Sequence, residues 1–526
     1  MPSLAALHVP STLRPSPAWL VVLLGGCRYE EPPPTFERVP DAELETVPAT
    51  TFGCAPVATT SPQALEGDRV QLQFVCTGDV PAQRWELGDG PPGATIDAVS
   101  GVISWQTDLT SAGTWTMVVN AISGETREPG TGAVFINDAW GADGNQPIDP
   151  ATYSHEFGLP VVSFDEPEGL NNSVSVATPF RYAGHLYDGA IQLRGATSSH
   201  YPKHSWRLDF PKEDEFNSVV EGFPKRRYLA LTTLFDDNAY FRQKLCYDAW
   251  NSLSTNYPAV NSEFVVVYRN GEYWGLYMLT DHIDDEWWGD NGYDEAGNLY
   301  KGTSHAANFF DNYLGEPKAS WHDGYEKKEG DPEDWADLDA FVQFVVESDD
   351  DTFDTSISEH VTLQEAEDWW VLTLALAAYD SIDKNAYFHR DPEAEAFHLV
   401  VWDFNDSLGQ DWKTGRSPAD DDWDFTDSNG LFARLLASDV HGPELRERLS
   451  SSLAGPLSPD ALNPLIDDYM AAIGPSMERD WAAWGDTYRS YESWSNREDF
   501  TEPEEEVAYI RQWIQERHDW VVEWGP

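Results

Sequence analysis

The pattern of apolar and polar positions along the chain predicts two folded regions of different character. From residue 51 to residue 138, short segments such as Val70-Gln71-Leu72-Gln73-Phe74 alternate between apolar and polar side chains, and turns rich in Gly and Pro separate them. Alternation with a period of two is typical of half-buried strands, so this region is predicted to form a β-sandwich. A stretch rich in Gly, Asn and Pro follows and predicts a hinge at residues 139–158.

The remaining region, residues 159–526, has strand patterns first and helical patterns later. Strands are predicted at 190–193, 205–210 and 263–268, and the last continues through Asn270-Gly271 into a strand at 273–277, which is a strong hairpin signal. Thr362 and Glu365 form a predicted capping box, and the helix that it begins is expected to run to about Tyr379. Amphipathic helices are predicted toward the C-terminus, so the fold class is α+β.

The first 50 residues predict an export signal and a spacer. An apolar run at 18–24 is too short to cross a bilayer but fits the core of a signal peptide. The run ends at Leu24-Gly25-Gly26-Cys27, which is similar to a bacterial lipobox, so residues 1–27 are interpreted as a lipoprotein signal peptide with a lipid on Cys27. The alternative is an ordinary secretory signal with an incidental Cys. Residues 28–50, rich in Pro and Glu, predict an extended tether, and we expect a protein of the bacterial cell envelope or a secreted one.

The charge of the chain narrows the choice of partners. Lys and Arg number 33 against 91 Asp and Glu, which gives a formal net charge of −58. This charge repels phosphate backbones and anionic lipids, so nucleic acid is excluded, and a membrane is expected to be reached only through the lipid anchor. Divalent cations, basic partner segments and a saline exterior remain compatible. The acidic runs at 349–351 and 420–424 have no EF-hand register and are predicted to be solvated loops instead of calcium sites.

Three of the four cysteines fall outside the signal peptide. Cys54 and Cys76 lie in one small region of a chain expected to be exported, which predicts a disulfide between them. Cys246 lies in a helical pattern and is predicted to be a buried, unreactive thiol.

Candidate chemistry follows the helix predicted to end near Tyr379. Asp380 and Asn385 are five positions apart, the spacing of a kinase catalytic loop, in which the Asp orients the nucleophile and the Asn binds metal. A turn and a returning strand at 397–401 predict a hairpin that brings Asp403 back beside Asn385. Carboxylate and amide oxygens suit a hard divalent ion that also holds nucleotide phosphates. The alternative is a surface hairpin with acidic ends.

Several segments within residues 159–526 resemble, in order, the CotH family of spore-coat proteins. They are Leu193-Arg194-Gly195, Ser205-Trp206-Arg207-Leu208, Asn270-Gly271-Glu272-Tyr273-Trp274-Gly275, Leu299-Tyr300-Lys301 and Trp402-Asp403-Phe404. The resemblance implies an atypical protein-kinase-like domain that transfers phosphate from ATP to Ser or Thr of an exported protein. The sandwich that precedes it resembles Ig or cadherin-like modules of bacterial surface proteins.

The same resemblance assigns roles to individual residues. Asp380 becomes the catalytic-loop acid, and Asn385 and Asp403 become the ligands of Mg²⁺ or Mn²⁺, with Asn405 also at the metal site. Lys203 or Arg194 becomes the cation that holds the ATP phosphates, because a fixed positive charge offsets theirs.

Three positions depart from the family pattern. Asn405 replaces the second Asp of Trp-Asp-x-Asp and removes a negative charge from the metal site. Asp281 stands where relatives have Glu, and its shorter side chain is expected not to reach an ion-pair partner, while Lys384 replaces a common His. These changes keep a second hypothesis open, that of a catalytically degenerate surface lipoprotein for binding, adhesion or envelope assembly. In the enzyme hypothesis, the acidic surface favours an exported protein substrate with a basic segment.

Overall fold

The computed structural model describes residues 54–59, 63–78, 81–107, 111, 113–137, 150–151, 153–196, 198–394, 396–421, 426–494 and 497–525. The predicted signal peptide with Cys27, the predicted tether and most of the predicted hinge lie outside these residues. Within them, strands and helices are both abundant, and the N-terminal part is rich in strands, so the α+β class is confirmed. None of the described helices is long and apolar enough to cross a membrane.

Two four-stranded sheets form the N-terminal part and enclose one core. Their orders are β1-β3-β6-β5 and β2-β8-β7-β4. The core takes alternate residues from both sheets, such as Leu72 and Phe74 from one and Met117 and Val119 from the other. The predicted disulfide between Cys54 and Cys76 is confirmed. The strands are β1 (Ala55–Ala58), β2 (Gln63–Leu65), β3 (Arg69–Thr77), β4 (Arg84–Asp89), β5 (Thr95–Ile96), β6 (Val102–Gln106), β7 (Gly113–Ser123) and β8 (Thr126–Asn137).

A ten-stranded sheet follows. Its order is β11-β14-β15-β16-β18-β17-β10-β12-β13, with β9 paired to β10, and β10 runs parallel to β17. The predicted hairpin at Asn270-Gly271 is confirmed, and both turn residues have positive φ, as a tight two-residue turn requires. The strands are β9 (His155–Glu156), β10 (Leu159–Phe164), β11 (Val176–Ala177), β12 (Phe180–Tyr182), β13 (His185–Tyr187), β14 (Ala190–Arg194), β15 (Ser205–Asp209), β16 (Tyr228–Thr233), β17 (Ser262–Arg269) and β18 (Glu272–Asp281).

Both faces of this sheet are buried, which explains the continuous apolar run in β17. Phe264 and Val266 face the larger core, which the helices share, while Val265 and Val267 face a second, aromatic core on the opposite side. A strand covered on both faces has no polar alternation to preserve.

A smaller antiparallel sheet of order β22-β19-β23-β24 lies in the second half of the chain together with most of the helices. Its strands are β19 (Asn298–Gly302), β22 (Tyr325–Glu329), β23 (Ala386–Arg390) and β24 (His398–Val401), while β20 (Asn312–Tyr313) and β21 (Glu316–Pro317) pair only with each other. The helices are α1 (Arg242–Leu253), α2 (Asp285–Asp290), α3 (Ala336–Glu347), α4 (Asp350–Ser356), α5 (Leu363–Leu376), α6 (Gly430–Ala437), α7 (His441–Ala454), α8 (Pro459–Ser490) and α9 (Pro503–Trp524).

Two local predictions need correction. The helix α5 is present, but the capping box is wrong: the Thr362 side chain makes no cap bond, and Glu365 instead accepts a hydrogen bond from the Leu399 amide at 2.6 Å. The helix ends at Leu376 because Ala377 adopts left-handed φ, so it is shorter than predicted. The acidic run at 349–351 is a helix start, where Asp349 accepts from the Thr352 amide and caps α4.

Cys246 is buried in α1, as predicted, and burial raises the pKa of its thiol to about 12.

The turn at Gly67 joins the N-terminal sheets to the ten-stranded sheet. Its carbonyl accepts from the Phe157 amide at 2.9 Å, and the Tyr153 hydroxyl lies 3.2 Å from the Glu66 carbonyl. A Cβ at Gly67, where φ is +87°, would lie 2.9 Å from that hydroxyl. Residues 153–158, inside the predicted hinge, are therefore packed between the two parts.

The C-terminal helix α9 is held by a buried ion network. Glu506 is 1% exposed and binds Arg242 of α1 and Arg416, and Arg242 also pairs with Asp237 at 2.5 Å. Burial alone would raise the pKa of Glu506, but the charges of Arg242 and Arg416 hold it well below its ordinary value. The network connects α9 with the segment that precedes α1.

We predict that Glu506→Gln lowers the free energy of unfolding by about 3–5 kcal/mol near neutral pH, because it leaves two guanidinium groups without their carboxylate. Since the pKa of Glu506 is depressed on folding, this loss is present above the ordinary Glu pKa and shrinks as the pH falls through the folded-state value. Urea unfolding followed by tryptophan fluorescence measures it, with exposed Glu504→Gln of the same helix as the control. Equal effects of the two variants would contradict the prediction.

Candidate active site

The hairpin of β23 and β24 places Asn385 and Asp403 side by side. Ala386 pairs with Val401, and one step further the Trp402 amide donates to the Asn385 carbonyl at 2.7 Å. Asp403 is the next residue, so the predicted hairpin and its register are present. The Asn385 amide in turn donates to the Gly302 carbonyl at 2.9 Å, which fixes this end of the hairpin to β19.

Asp380 joins the same group through a tight turn. It lies in the 3₁₀ turn Tyr379–Ser381, just after α5. The Ser381 hydroxyl lies 3.0 Å from the carbonyls of both Trp402 and Asp403, and the Asn385 side-chain amide donates to Asp380 Oδ2 at 3.3 Å. The structure therefore brings Asp380, Asn385 and Asp403 together.

Asn385 and Asp403 both have left-handed backbone, with φ of 55° and 66°. Outside glycine this conformation is uncommon, Asn and Asp tolerate it best, and it concentrates at functional sites. The Asn385 Nδ2 is occupied by Asp380, which leaves Oδ1 as a possible ligand. Among the described residues, no group of three or more His, Cys, Asp or Glu side chains could hold a metal alone. Asn385 and Asp403 fit a cation that completes its shell with oxygens of a second ligand, as Mg²⁺ does with phosphates.

Two basic residues hold Asp380 in its ionised form. Lys384 Nζ lies 2.7 Å from Asp380 Oδ1, and His305 Nε2 lies 3.6 Å from the same oxygen, while His305 Nδ1 is 2.6 Å from Asp383. Burial would raise the pKa of Asp380, but these partners keep it below its ordinary value. Hydrogen bonds to Asp380 and then Asp383 raise the pKa of His305 to about 9.

Lys301, Arg194 and Lys384 act on Asp403 through their charge. Burial, and then the charges of Arg194, Arg207, Lys301 and Lys328, hold the pKa of His282 well below its ordinary value. The Arg194 guanidinium lies 5.1 Å from the centre of the Trp402 ring. Burial lowers the pKa of Lys301 to about 8, although Asp403 opposes the shift. In the part of the chain that the structure describes, no carboxylate lies within ion-pair distance of Arg194 or Lys301.

Sequence analysis gave Lys301 no role in the site, although Lys301 lies in Leu299-Tyr300-Lys301, one of the segments that resemble the family. Lys203, which was assigned, is 0% exposed. Its ammonium binds Asp480 of α8 and donates to the Leu276 carbonyl at 2.9 Å. This lysine therefore joins β18 to α8.

The other two positions that differ from the family pattern, Asp281 and Asn405, also have polar partners in the structure. Asp281 is fully buried and does reach an ion-pair partner, because its Oδ1 accepts from Arg226 Nε at 2.7 Å, so the expectation of a missing partner is wrong. The Asn405 side-chain amide donates to Asp236 Oδ2 at 3.1 Å. Asp236, which precedes α1, was not recognised from sequence because more than 160 positions separate it from Asn405. Burial, and then the charge of Asp403, raise the pKa of Asp236 to about 7.

Comparison with known proteins gives two matches. A family model described as CotH kinase protein matches residues 191–521. The inner spore coat protein H of Bacillus subtilis (strain 168) is 24% identical over 287 residues, which cover 54% of this chain and 76% of that protein. All the candidate residues from Arg194 to Asn405 lie within the range of the family model.

We predict that His305→Gln destabilises the protein more at pH 6 than at pH 10. The raised pKa of His305 means that its interaction with Asp380 and Asp383 contributes fully below about 6.5, the ordinary His value, and is lost as the pH rises through about 9. Urea unfolding of wild type and variant at pH 6, 8 and 10 measures the difference, and exposed His200→Gln serves as the control. A difference that stays constant across this range would contradict the prediction.

Proposed function

Because this chain belongs to the CotH family, we propose that it is an exported phosphotransferase that moves phosphate from ATP to Ser or Thr of an exported protein. The observation that carries the proposal is the arrangement around Asp403. The side chain of Asn385 is bonded to Asp380 in the loop that packs beside Asp403, and Lys301 and Arg194 act on Asp403 through their charge. Anionic oxygens bridged by a cation would find complementary charge in these two groups of residues.

We further propose an atypical kinase-like fold for the region from β9 onward. The ten-stranded sheet and the helical part then correspond to two lobes, with Asp403 at their junction. In support, a catalytic-loop spacing, a hairpin and an Asp follow one another and converge in space, as in kinases. The N-terminal pair of sheets fits an Ig-like module in its size and in its pairing, which is antiparallel except between β2 and β8.

Each residue of the site has a role in this proposal. Arg194 and Lys301 hold ATP phosphates, because neither forms an ion pair with a carboxylate of the described chain. Asn385 and Asp403 hold Mg²⁺ or Mn²⁺, which when bound offsets the charge of the phosphates. Asp380, ionised at neutral pH, orients the acceptor hydroxyl and accepts its proton.

The partner and the location follow from charge and homology. A net charge of −58 favours a substrate with a basic segment, since opposite charge speeds association. Similarity to a spore coat protein favours a coat or cell-surface location. A lipid on Cys27 would hold the protein at a membrane.

The second candidate is a degenerate protein that binds nucleotide without transferring phosphate. The ion pair between Lys384 and Asp380 favours it, because the ammonium occupies an oxygen that an acceptor hydroxyl would need. Both candidates bind nucleotide, but only the first transfers phosphate.

Incubation of the purified chain with γ-labelled ATP, Mn²⁺ or Mg²⁺ and a basic Ser-containing protein tests the proposal. We expect label transfer that Asp403→Asn abolishes and that Asp380→Asn lowers about 10²- to 10⁴-fold while nucleotide binding persists. Exposed Asp519→Asn should leave both unchanged. Binding without transfer would support the degenerate candidate, and absence of binding would contradict both.

We predict opposite behaviour for two lysines. Lys301→Met should weaken ATP binding about ten- to hundredfold, the value of one hydrogen bond to a charged group, with little change in stability. Lys203→Met should lower the free energy of unfolding by about 3–5 kcal/mol, because it leaves Asp480 buried without its partner. Calorimetric titration with ATP and urea unfolding separate the two effects. Weaker ATP binding by a well-folded Lys203→Met alone would reverse the assignment.

A further inference from the structure

A long connection between two neighbouring strands lies beside the candidate active site. Strands β19 and β22 are antiparallel, and Gly302 of the first pairs directly with Tyr325 of the second. A turn of about two to five residues can join such strands, but here residues 303–324 lie between them. Connections of this length within a compact domain usually carry a function. Residues 303–324 are called the inserted loop below.

The inner part of the inserted loop is fixed against the core and against the proposed catalytic acid. Phe309 is buried in the larger core, and the Asn308 carbonyl accepts from the Gly430 amide at 2.8 Å. His305 Nε2 lies 3.6 Å from Asp380 Oδ1. The inserted loop is therefore held next to the carboxylate that, in the proposed function, orients the acceptor hydroxyl.

The outer part of the inserted loop is a small hairpin with an apolar tip. Tyr313 of β20 pairs with Glu316 of β21, and Leu314 and Gly315 form the two-residue turn between them. The φ values of these two turn residues are 53° and 81°, as in a type I′ turn, which favours Asn at its first position. Leu314 occupies that position and is 85% exposed. Left-handed backbone and an exposed leucine both disfavour the isolated chain, which points to a contact outside it.

The exposed charges of this hairpin are negative. Asp311 and Glu316 are both exposed, and no Lys, Arg or His of the described residues lies within ion-pair distance of either carboxylate. The nearest lysine in the sequence, Lys318, has its ammonium buried. An exposed leucine flanked by unpaired carboxylates is complementary to a partner that has an apolar side chain among basic ones.

We propose that the hairpin at residues 312–317 is a docking surface for the acceptor protein, and that it binds a segment in which an apolar side chain lies among basic ones. The inference rests on the proposed function, because it takes the inserted loop to lie where the acceptor approaches Asp380. Leu314 supplies apolar contact area, while Asp311 and Glu316 supply charge. A segment bound there is held near Asp380, which raises the local concentration of its hydroxyl groups.

Peptide binding without ATP tests the docking surface. One peptide repeats Arg-Leu-Ser-Lys, its counterpart repeats Arg-Ser-Ser-Lys, and calorimetric titration of the full chain measures the Kd of each. We expect wild type to bind the leucine peptide about tenfold more tightly than the counterpart, and Leu314→Asn to bind both equally. The control Leu186→Asn, which removes an exposed leucine of β13, should keep the preference. The docking surface is wrong if wild type shows no preference or if Leu314→Asn retains it.

Thermal unfolding separates docking from a structural role of Leu314. Asn is the residue that a type I′ turn favours at this position, so Leu314→Asn should unfold at the same or a higher temperature than wild type. A lower melting temperature would assign the leucine to the stability of the fold and would contradict the proposal.

Label transfer from ATP distinguishes this inference from the proposed function. With the leucine peptide as acceptor, Leu314→Asn should raise the KM for the peptide about tenfold and leave kcat and the KM for ATP unchanged. A peptide KM equal to that of wild type would overturn the docking surface while the proposed function stands. If wild type prefers the leucine peptide in binding but transfers no label, the proposed function is wrong and the hairpin remains a peptide-binding surface.

Removal of the hairpin provides a second variant. The Lys318 amide donates to the Asp311 carbonyl at 2.9 Å, so Asn-Gly can replace residues 312–317 as a two-residue turn between these positions. We expect this variant to bind ATP as wild type does and to lose the preference for the leucine peptide. A preference that persists without the hairpin would place the peptide elsewhere and overturn the proposal.

Discussion

Positive charge is scarce in this protein, and the positions of its buried cations determine how the parts are joined. Lys203 connects β18 to α8, Arg242 connects α1 to α9, and Arg479 of α8 pairs with Glu156 at 2.7 Å beside β10. Each of these cations meets a carboxylate whose burial would otherwise be unfavourable. Arg194 and Lys301 are different, because they are close to Asp403 but form no ion pair with it. The same scarcity therefore makes the region around Asp403 the place where an anionic ligand would be held.

Much of the fold could be predicted because its signals are local. The turn Asn270-Gly271, the apolar run of β17 and the return of β24 beside β23 each depend on a few neighbouring residues, and the structure contains all three. The juxtaposition of Asn385 and Asp403 followed from the hairpin alone. Predictions from local patterns were wrong where a residue distant in the sequence bound the same side chain. Glu365 matched a capping box, yet its carboxylate is used by the Leu399 amide of a later strand.

The site itself was only partly accessible from sequence for the same reason. Sequence analysis assigned Lys203 and not Lys301, and nothing local distinguishes a lysine buried against Asp480 from one that acts on Asp403. Asp281 was judged by the length of its side chain, but its partner, Arg226, is set by the register of β16 against β18. Asp236 could not be connected with Asn405 before the segment preceding α1 was seen to pack on the residues after β24. These contacts belong to the tertiary structure.

The close approach at Gly67 affects how the protein could act on something large. Because the Phe157 amide donates to the Gly67 carbonyl, and the Tyr153 hydroxyl and Glu156 pack against Gly67, rotation of the N-terminal sheets about residues 153–158 is restricted. The N-terminal sheets and the ten-stranded sheet would then move together. A macromolecule bound by the N-terminal sheets would then be held at a fixed distance from the ten-stranded sheet.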